Sequence, residues 1–163
     1  MNLDSFPQGV QLAVKAAQEK KAGGITVLDL SGLGAFTEYF VICTGYSSPQ
    51  VQAICSEVEE ELYKHAKRSP EHREGQRSAE WALLDFGGFV VHVFSEQARR
   101  YYDLERLWRS APKLEIPATA DILRAIHEFS EELKEAAGAT SLYNESLGTT
   151  SDRYVYDRVK GRE

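Results

Sequence analysis

An α/β fold, a mixed β-sheet with flanking helices, is the fold class this sequence predicts. Three observations lead there. Short β-branched and aliphatic runs alternate with longer stretches of helical spacing, in the order αββαββα with a further C-terminal helix and a tail. The run "YFVICTG" is apolar almost throughout, as in a central strand covered on both faces. "WALLDF" and "FVVHVF" read as two strands folded about Gly87-Gly88.

The elements follow in order. "FPQGVQLAVKAAQEKKAGG" puts Val10, Ala13, Val14 and Ala17 on one helical face, and Gly23-Gly24 is expected to stop that helix. "ITVLDLS" is a strand and "GLGAFTE" a loop. In "SSPQVQAICSEVEEELYKHAKR", Ser48 is placed to cap a helix and Pro49 to take its first position. Val51, Ile54, Cys55, Val58 and Leu62 form its buried stripe, and Lys64, Lys67 and Arg68 suit its C-terminal dipole. "SPEHREGQRSA" is expected as a polar loop. After the hairpin, Ser95 caps the helix "EQARRYYDLERLWRS", which ends at Pro112 and carries Tyr101, Leu104 and Trp108 on one face. "KLEIP" is expected as a linker into a helix over 118–137, where Ile122, Ile126, Phe129 and Leu133 follow helical spacing. The segment from Ala139, rich in Ser, Thr, Gly and charge, is expected as a flexible tail. The expected organisation is a domain over 1–113, a helical extension over 114–138 and a tail over 139–163.

Bulk properties narrow the function classes. A chain of 163 residues can bury one substantial core. With 19 basic and 25 acidic residues the net charge is −6, which argues against non-specific nucleic-acid binding and suits a basic protein partner. Cys43 and Cys55 both lie in apolar segments and read as buried thiols. "MNLDSFPQGV" has no basic region leading into an apolar core, and no apolar run reaches membrane-spanning length. A cytoplasmic soluble protein is the expectation.

The hairpin raises the sharpest question. A two-residue turn sets Phe86 opposite Phe89, Asp85 opposite Val90, Leu83 opposite His92 and Trp81 opposite Phe94. One face then carries Ala82, Leu84, Phe86, Phe89, Val91 and Val93, all apolar. The other carries Trp81, Leu83, Asp85, Val90, His92 and Phe94, with Asp85 and His92 as diagonal neighbours within hydrogen-bond reach. Three readings stand: a buried structural Asp–His pair, a docking face, or an orienting pair for general-base chemistry. The last needs a nucleophile, and the sequence marks none.

Other motifs are weaker. The GxG at 32–34 follows a strand, but it lacks a third glycine and leads into another strand, which excludes a dinucleotide loop. "TGYSSPQ" resembles the glycine–serine turn of nucleotidyltransferases. Those enzymes place paired metal-binding carboxylates on the next strand; here Asp85 stands alone and Gly87 occupies the second position. The four histidines show no zinc spacing. "EVEEEL" and "ARR" read as solvated faces. No cofactor is expected.

Three blocks, "YFVICTGYSSPQVQAI", "GQRSAEWALLDFGGFVVHVF" and "ARRYYDLERLW", together resemble the ribosomal silencing factor family (RsfS, or Iojap) in order and spacing from Leu3 to Pro112. The resemblance implies a nucleotidyltransferase-like fold without that activity. It implies binding to universal large-subunit ribosomal protein fourteen, a steric block to small-subunit joining and hence translation repression, a part in large-subunit biogenesis, and a homodimer when free. Two departures are visible: Gly88, followed by Phe89, stands where the family usually has an acidic residue, and the chain continues well past Lys113.

On that reading Trp81, Asp85 and His92 of the hairpin, with Tyr102, Glu105 and Trp108 of the following helix, are the candidate contacts. Aromatic rings would supply buried area, and carboxylates would meet Lys or Arg of the partner. No membrane and no sequence-specific nucleic acid are expected as partners. The competing reading is a nucleotidyltransferase-like enzyme or a nucleotide-binding protein.

Overall fold

The apolar runs and helical stripes assemble into one six-stranded sheet with helices on both faces. The computed structural model describes residues 1–117 and 119–147, with side chains placed for 1–117 and 123–139. In chain order the elements are α1 (Gln8–Glu19), β1 (Gly23–Asp29), β2 (Tyr39–Gly45), α2 (Ser48–Ala66), β3 (His72–Glu74) and β4 (Trp81–Asp85). They continue with β5 (Phe89–Ser95), α3 (Glu96–Tyr102), α4 (Leu104–Leu107), β6 (Lys113–Ile116) and α5 (Thr119–Leu147). The chain divides into two units, Met1–Thr119 and a second that starts at Ala120.

The sheet runs β3-β4-β5-β2-β1-β6. β2 and β5 are parallel and the other pairs antiparallel, so the sheet is mixed, as predicted. β2 is an interior strand whose side chains split between two cores. Val41 and Cys43 join the cluster beneath α1 and α2, while Phe40 and Ile42 join a smaller cluster with Ala98 of α3. The stripe Val51, Ile54, Cys55, Val58 and Leu62 of α2 is fully buried, and each large aliphatic on it contributes roughly 1.5–3 kcal/mol. Both cysteines are free and buried, and burial pushes each thiol up to about 12.

Several expectations are corrected by local geometry. The first helix stops before Gly23-Gly24, because Lys21 already takes the left-handed φ of 58° and Ala22 N–H closes onto Ala17 O. The two glycines instead open β1, where the β1–β2 register shifts by a bulge between Gly23 and Thr26. Ser47, not Ser48, caps α2, accepting from Gln50 N–H at 3.2 Å; Pro49 falls in the first turn. The polar loop after α2 contains the edge strand β3, paired to β4. Its three exposed residues are charged or ionisable, which keeps a short edge from recruiting other chains.

Two further segments differ. The helix after Ser95 is broken at Asp103, which takes φ 46° and separates α3 from α4. "KLEIP" is strand β6 rather than a linker: Leu114 and Ile116 pack on the main core while Lys113 and Glu115 point outward, an alternation of period two. The helix predicted over 118–137 is longer, since α5 runs on to Leu147 and occupies the start of the expected tail. Residues 148–163 of that tail lie outside the described residues.

The turn into β4 holds Trp81 in place. Gly75 takes φ 79°, and a Cβ there would lie 1.8 Å from the carbonyl oxygen of Trp81. Gly75→Ala is therefore expected to cost about 2 kcal/mol or more of folding stability. A denaturant melt followed by tryptophan fluorescence checks this, and an unchanged midpoint would contradict it.

Candidate functional site

The hairpin adopts the register its turn dictates. Trp81 pairs with Phe94, Leu83 with His92 and Asp85 with Val90, and Phe86 N–H donates to Phe89 O at 3.0 Å. Gly87 takes φ 89°, the region a tight turn asks of glycine. The apolar side, Ala82 through Val93, is buried in the core beneath α1 and α2. On the other side Val90 and Phe94 are buried in the second cluster, with Trp81 and Leu83 partly buried at its margin.

Asp85 and His92 do not bond to each other, which removes the orienting pair and the structural Asp–His pair together. Asp85 Oδ1 accepts from Gly87 N–H at 2.8 Å, because a donor two residues along the turn is closer to hand than a ring across the ladder. His92 Nδ1 instead accepts the indole N–H of Trp81 at 3.1 Å. His92 is only 3% exposed and stands edge-on to Phe40 at 4.5 Å. Burial pulls its imidazole down to about 3, so the ring is neutral near neutral pH. With Nδ1 accepting, the proton sits on Nε2, a buried atom without a hydrogen-bond partner. The histidine thus fixes Trp81 rather than Asp85.

The other wall is α3 and α4. Ser95 caps α3 as predicted, accepting from Ala98 N–H at 3.1 Å. The break at Asp103 is braced by Arg99, whose Nε and Nη2 donate to Glu105 Oε1 at 3.1 and 2.5 Å. The same guanidinium donates to Thr44 Oγ1 at 3.0 Å and Thr26 Oγ1 at 3.3 Å, tying α3 to β2 and β1. Gly24 makes room: a Cβ there would lie 2.8 Å from Arg99 Nη1. Glu105 is therefore engaged inside the fold. Asp103 instead presents Tyr102, half exposed, 4.6 Å from the Trp81 ring. Trp108 is partly buried, edge-on to Phe40 at 6.1 Å.

The structure thus brings Trp81, His92, Tyr102 and Trp108 around Phe40 and Phe94, leaves Asp85 at the hairpin tip, and turns Glu105 inward. It also adds residues that sequence reasoning missed. Phe36 is 75% exposed, with its ring 6.1 Å from Phe40. Its loop is fastened to the hairpin tip by Thr37 Oγ1 donating to Gly87 O and Glu38 N–H to Gly88 O. Leu107 and Tyr101 are also exposed. A loop residue has no periodicity to reveal it, and the one signal was a large aromatic in a glycine-rich loop. Glu57 and Glu61 of α2 approach Glu19 of α1 among the described residues, with Lys20 Nζ 3.8 Å from Glu57. That trio lies on the helices that cover the sheet's opposite face.

These elements define a class of α/β domain in which one sheet face is sealed by two long helices and the other keeps a partly bared aromatic surface. The family described as "Ribosomal silencing factor during starvation" matches residues 3–142. The chain is 40% identical over 107 residues to "Ribosomal silencing factor RsfS" of Halalkalibacterium halodurans, covering 66% of this chain and 91% of that protein. It is 40% identical over 103 residues to the protein of the same name from Bacillus subtilis, covering 63% and 86%. A crystal structure of a protein from Chromobacterium violaceum superposes with a TM-score of 0.60 at 34% identity, covering 73% of this chain and 97% of that one. The chain belongs to the ribosomal silencing factor family.

The buried histidine has a pH signature. Between pH 6.5 and about 3 the unfolded chain protonates His92 and the folded chain does not. Its contribution to stability is complete above the unfolded value and is lost as pH falls toward the folded one. In denaturant titrations, His92→Gln is expected to lose stability on acidification less steeply than the parent, by up to about 1.4 kcal/mol per pH unit. Parallel slopes would count against a neutral buried ring.

Proposed function

We propose that this chain docks on the large ribosomal subunit through universal large-subunit ribosomal protein fourteen and so blocks joining of the small subunit. The observation that carries the reading is the half-covered aromatic face, in a chain of this family. Trp81, Tyr102, Trp108 and Phe36 surround a small core that α3 and α4 cover only in part. A monomeric surface with such a grouping of rings favours a partner that dehydrates them. A net charge of −6 steers the chain toward a basic ribosomal protein, with Asp85 at the hairpin tip as the acidic contact.

The mechanism is occupancy. A folded domain seated beside the joining surface excludes the small subunit, and only affinity and position are required. No bond is made or broken, and no cofactor takes part. Residues 1–113 carry the docking face, and the protein acts in the cytoplasm as a translation repressor with a part in large-subunit biogenesis. Of the six contacts expected from sequence, Trp81, Asp85, Tyr102 and Trp108 meet the partner directly. His92 sets the Trp81 ring, and Glu105 sets the bend that presents Tyr102. Phe36 joins them as a contact.

Co-sedimentation with purified large subunits, with and without added small subunits, tests the reading. The parent chain is expected to bind large subunits and to compete with small ones. Trp81→Ala and Phe36→Ala should each weaken binding about 30-fold, or roughly 2 kcal/mol, while their melts stay cooperative. Binding equal to the parent's in both folded variants would place the contact elsewhere.

A further inference from the structure

The "ARR" motif, read from sequence as a solvated face, divides in the fold. Arg99 turns inward to Glu105, Thr26 and Thr44, while Arg100 is exposed. The break at Asp103 then brings two more arginines to the same surface, Arg106 from α4 and Arg109 from the turn after it. With Tyr101, Tyr102 and Leu107 they line an open concavity of about 830 Å³. Arg106 and Arg109 are exposed and form no ion pair among the described residues. Arg100 meets Glu96 at 3.0 Å, but both side chains are exposed, and such a pair holds weakly in water. In the concavity itself three guanidinium groups face one carboxylate, Asp103.

This patch stands against the charge of the whole chain, which is −6. A basic protein drawn to the rest of the domain would be repelled here, so the patch suits an anionic partner. Carboxylates and phosphates both fit a guanidinium fork. The rings decide between them. Tyr101 is 81% exposed, and a bare ring among arginines gives a base something to stack on while the phosphates are held. An acidic peptide would make no such use of it. Tyr102 joins the two surfaces: it lines the concavity and also lies 4.6 Å from the Trp81 ring on the aromatic face.

We infer that Arg100, Arg106 and Arg109 bind the phosphodiester backbone of ribosomal RNA beside the docked aromatic face, with Tyr101 against a base. The inference rests on the docking reading to bring the chain to the large subunit, and it adds a second partner there. The contact follows charge and shape rather than base sequence. On an acidic chain it is weak alone and is gained once the aromatic face has docked.

Co-sedimentation with purified large subunits over a salt series tests this. The double variant Arg106→Gln with Arg109→Gln is expected to bind about tenfold more weakly than the parent at about 0.1 M salt. Loss of two phosphate contacts lowers the slope of log K against log salt by about 1.5, so the gap should close at about 0.5 M. Lys15→Gln with Lys64→Gln makes the same change in net charge on α1 and α2, and should keep the parent's slope. Thermal melts check that each variant folds. Hydroxyl-radical footprinting at saturating protein is expected to show a stretch of ribose shielded by the parent and not by the arginine variant. Unchanged affinity and slope overturn the inference, and so does an equal loss in the lysine variant. A changed slope with identical footprints also overturns it and assigns the arginines to an acidic protein. Failure of the docking reading shows separately, as a parent that does not bind isolated protein fourteen. The arginine variant should bind that isolated protein as the parent does, and a matching loss there would overturn the RNA contact alone.

Discussion

Arg99 donates from α3 to Thr26 on β1, Thr44 on β2 and Glu105 on α4, and the half-covered aromatic face depends on that cluster. Helices α3 and α4 span seven and four residues, too short to persist alone. What keeps them on the sheet is a mostly buried guanidinium whose charge is met by one carboxylate and whose remaining donors reach threonine hydroxyls. Around it the chain is shaped to fit. The β1 bulge and the bare Cα of Gly24 admit the head group, and the left-handed residue at Asp103 brings Glu105 back toward it. Shift the guanidinium and Tyr102 and Trp108 lose their positions against Trp81 and Phe40.

The two faces of the sheet solve different problems. Beneath α1 and α2 the cover is the more extensive, and Val, Ile, Leu and Phe side chains form a buried core. On the opposite face the cover is partial, and Trp81 and Trp108, large rings with a polar edge, stand at the margin beside Ala35, Leu83 and Leu104. Trp81 can lie partly buried there because its indole N–H is already satisfied by His92. The histidine can accept because burial keeps it neutral.

Much of this was legible in the sequence, for a physical reason. Patterns of period two and 3.6 record which side of an element meets apolar neighbours, so the α2 stripe, the interior β2 strand and the hairpin register could all be read from residue order. The Ser95 cap is equally local. Less legible were features decided by single dihedral angles or by distant partners: the stop at Lys21, the break at Asp103 and the choice of Ser47 over its neighbour. β6 was missed because four residues give period two little room to declare itself.

For the candidate site the division is the same. Sequence by itself determined that one hairpin face is mixed, that Trp81, Asp85 and His92 lie on it, and that the family's three blocks are present in order. Tertiary structure decided the partnerships: His92 with Trp81 rather than Asp85, Asp85 with the Gly87 backbone, Glu105 with Arg99, and Phe36 beside Phe40. Periodicity tells a side chain which face it joins. Which neighbour it meets there depends on how strands, turns and short helices from distant parts of the chain come to lie side by side.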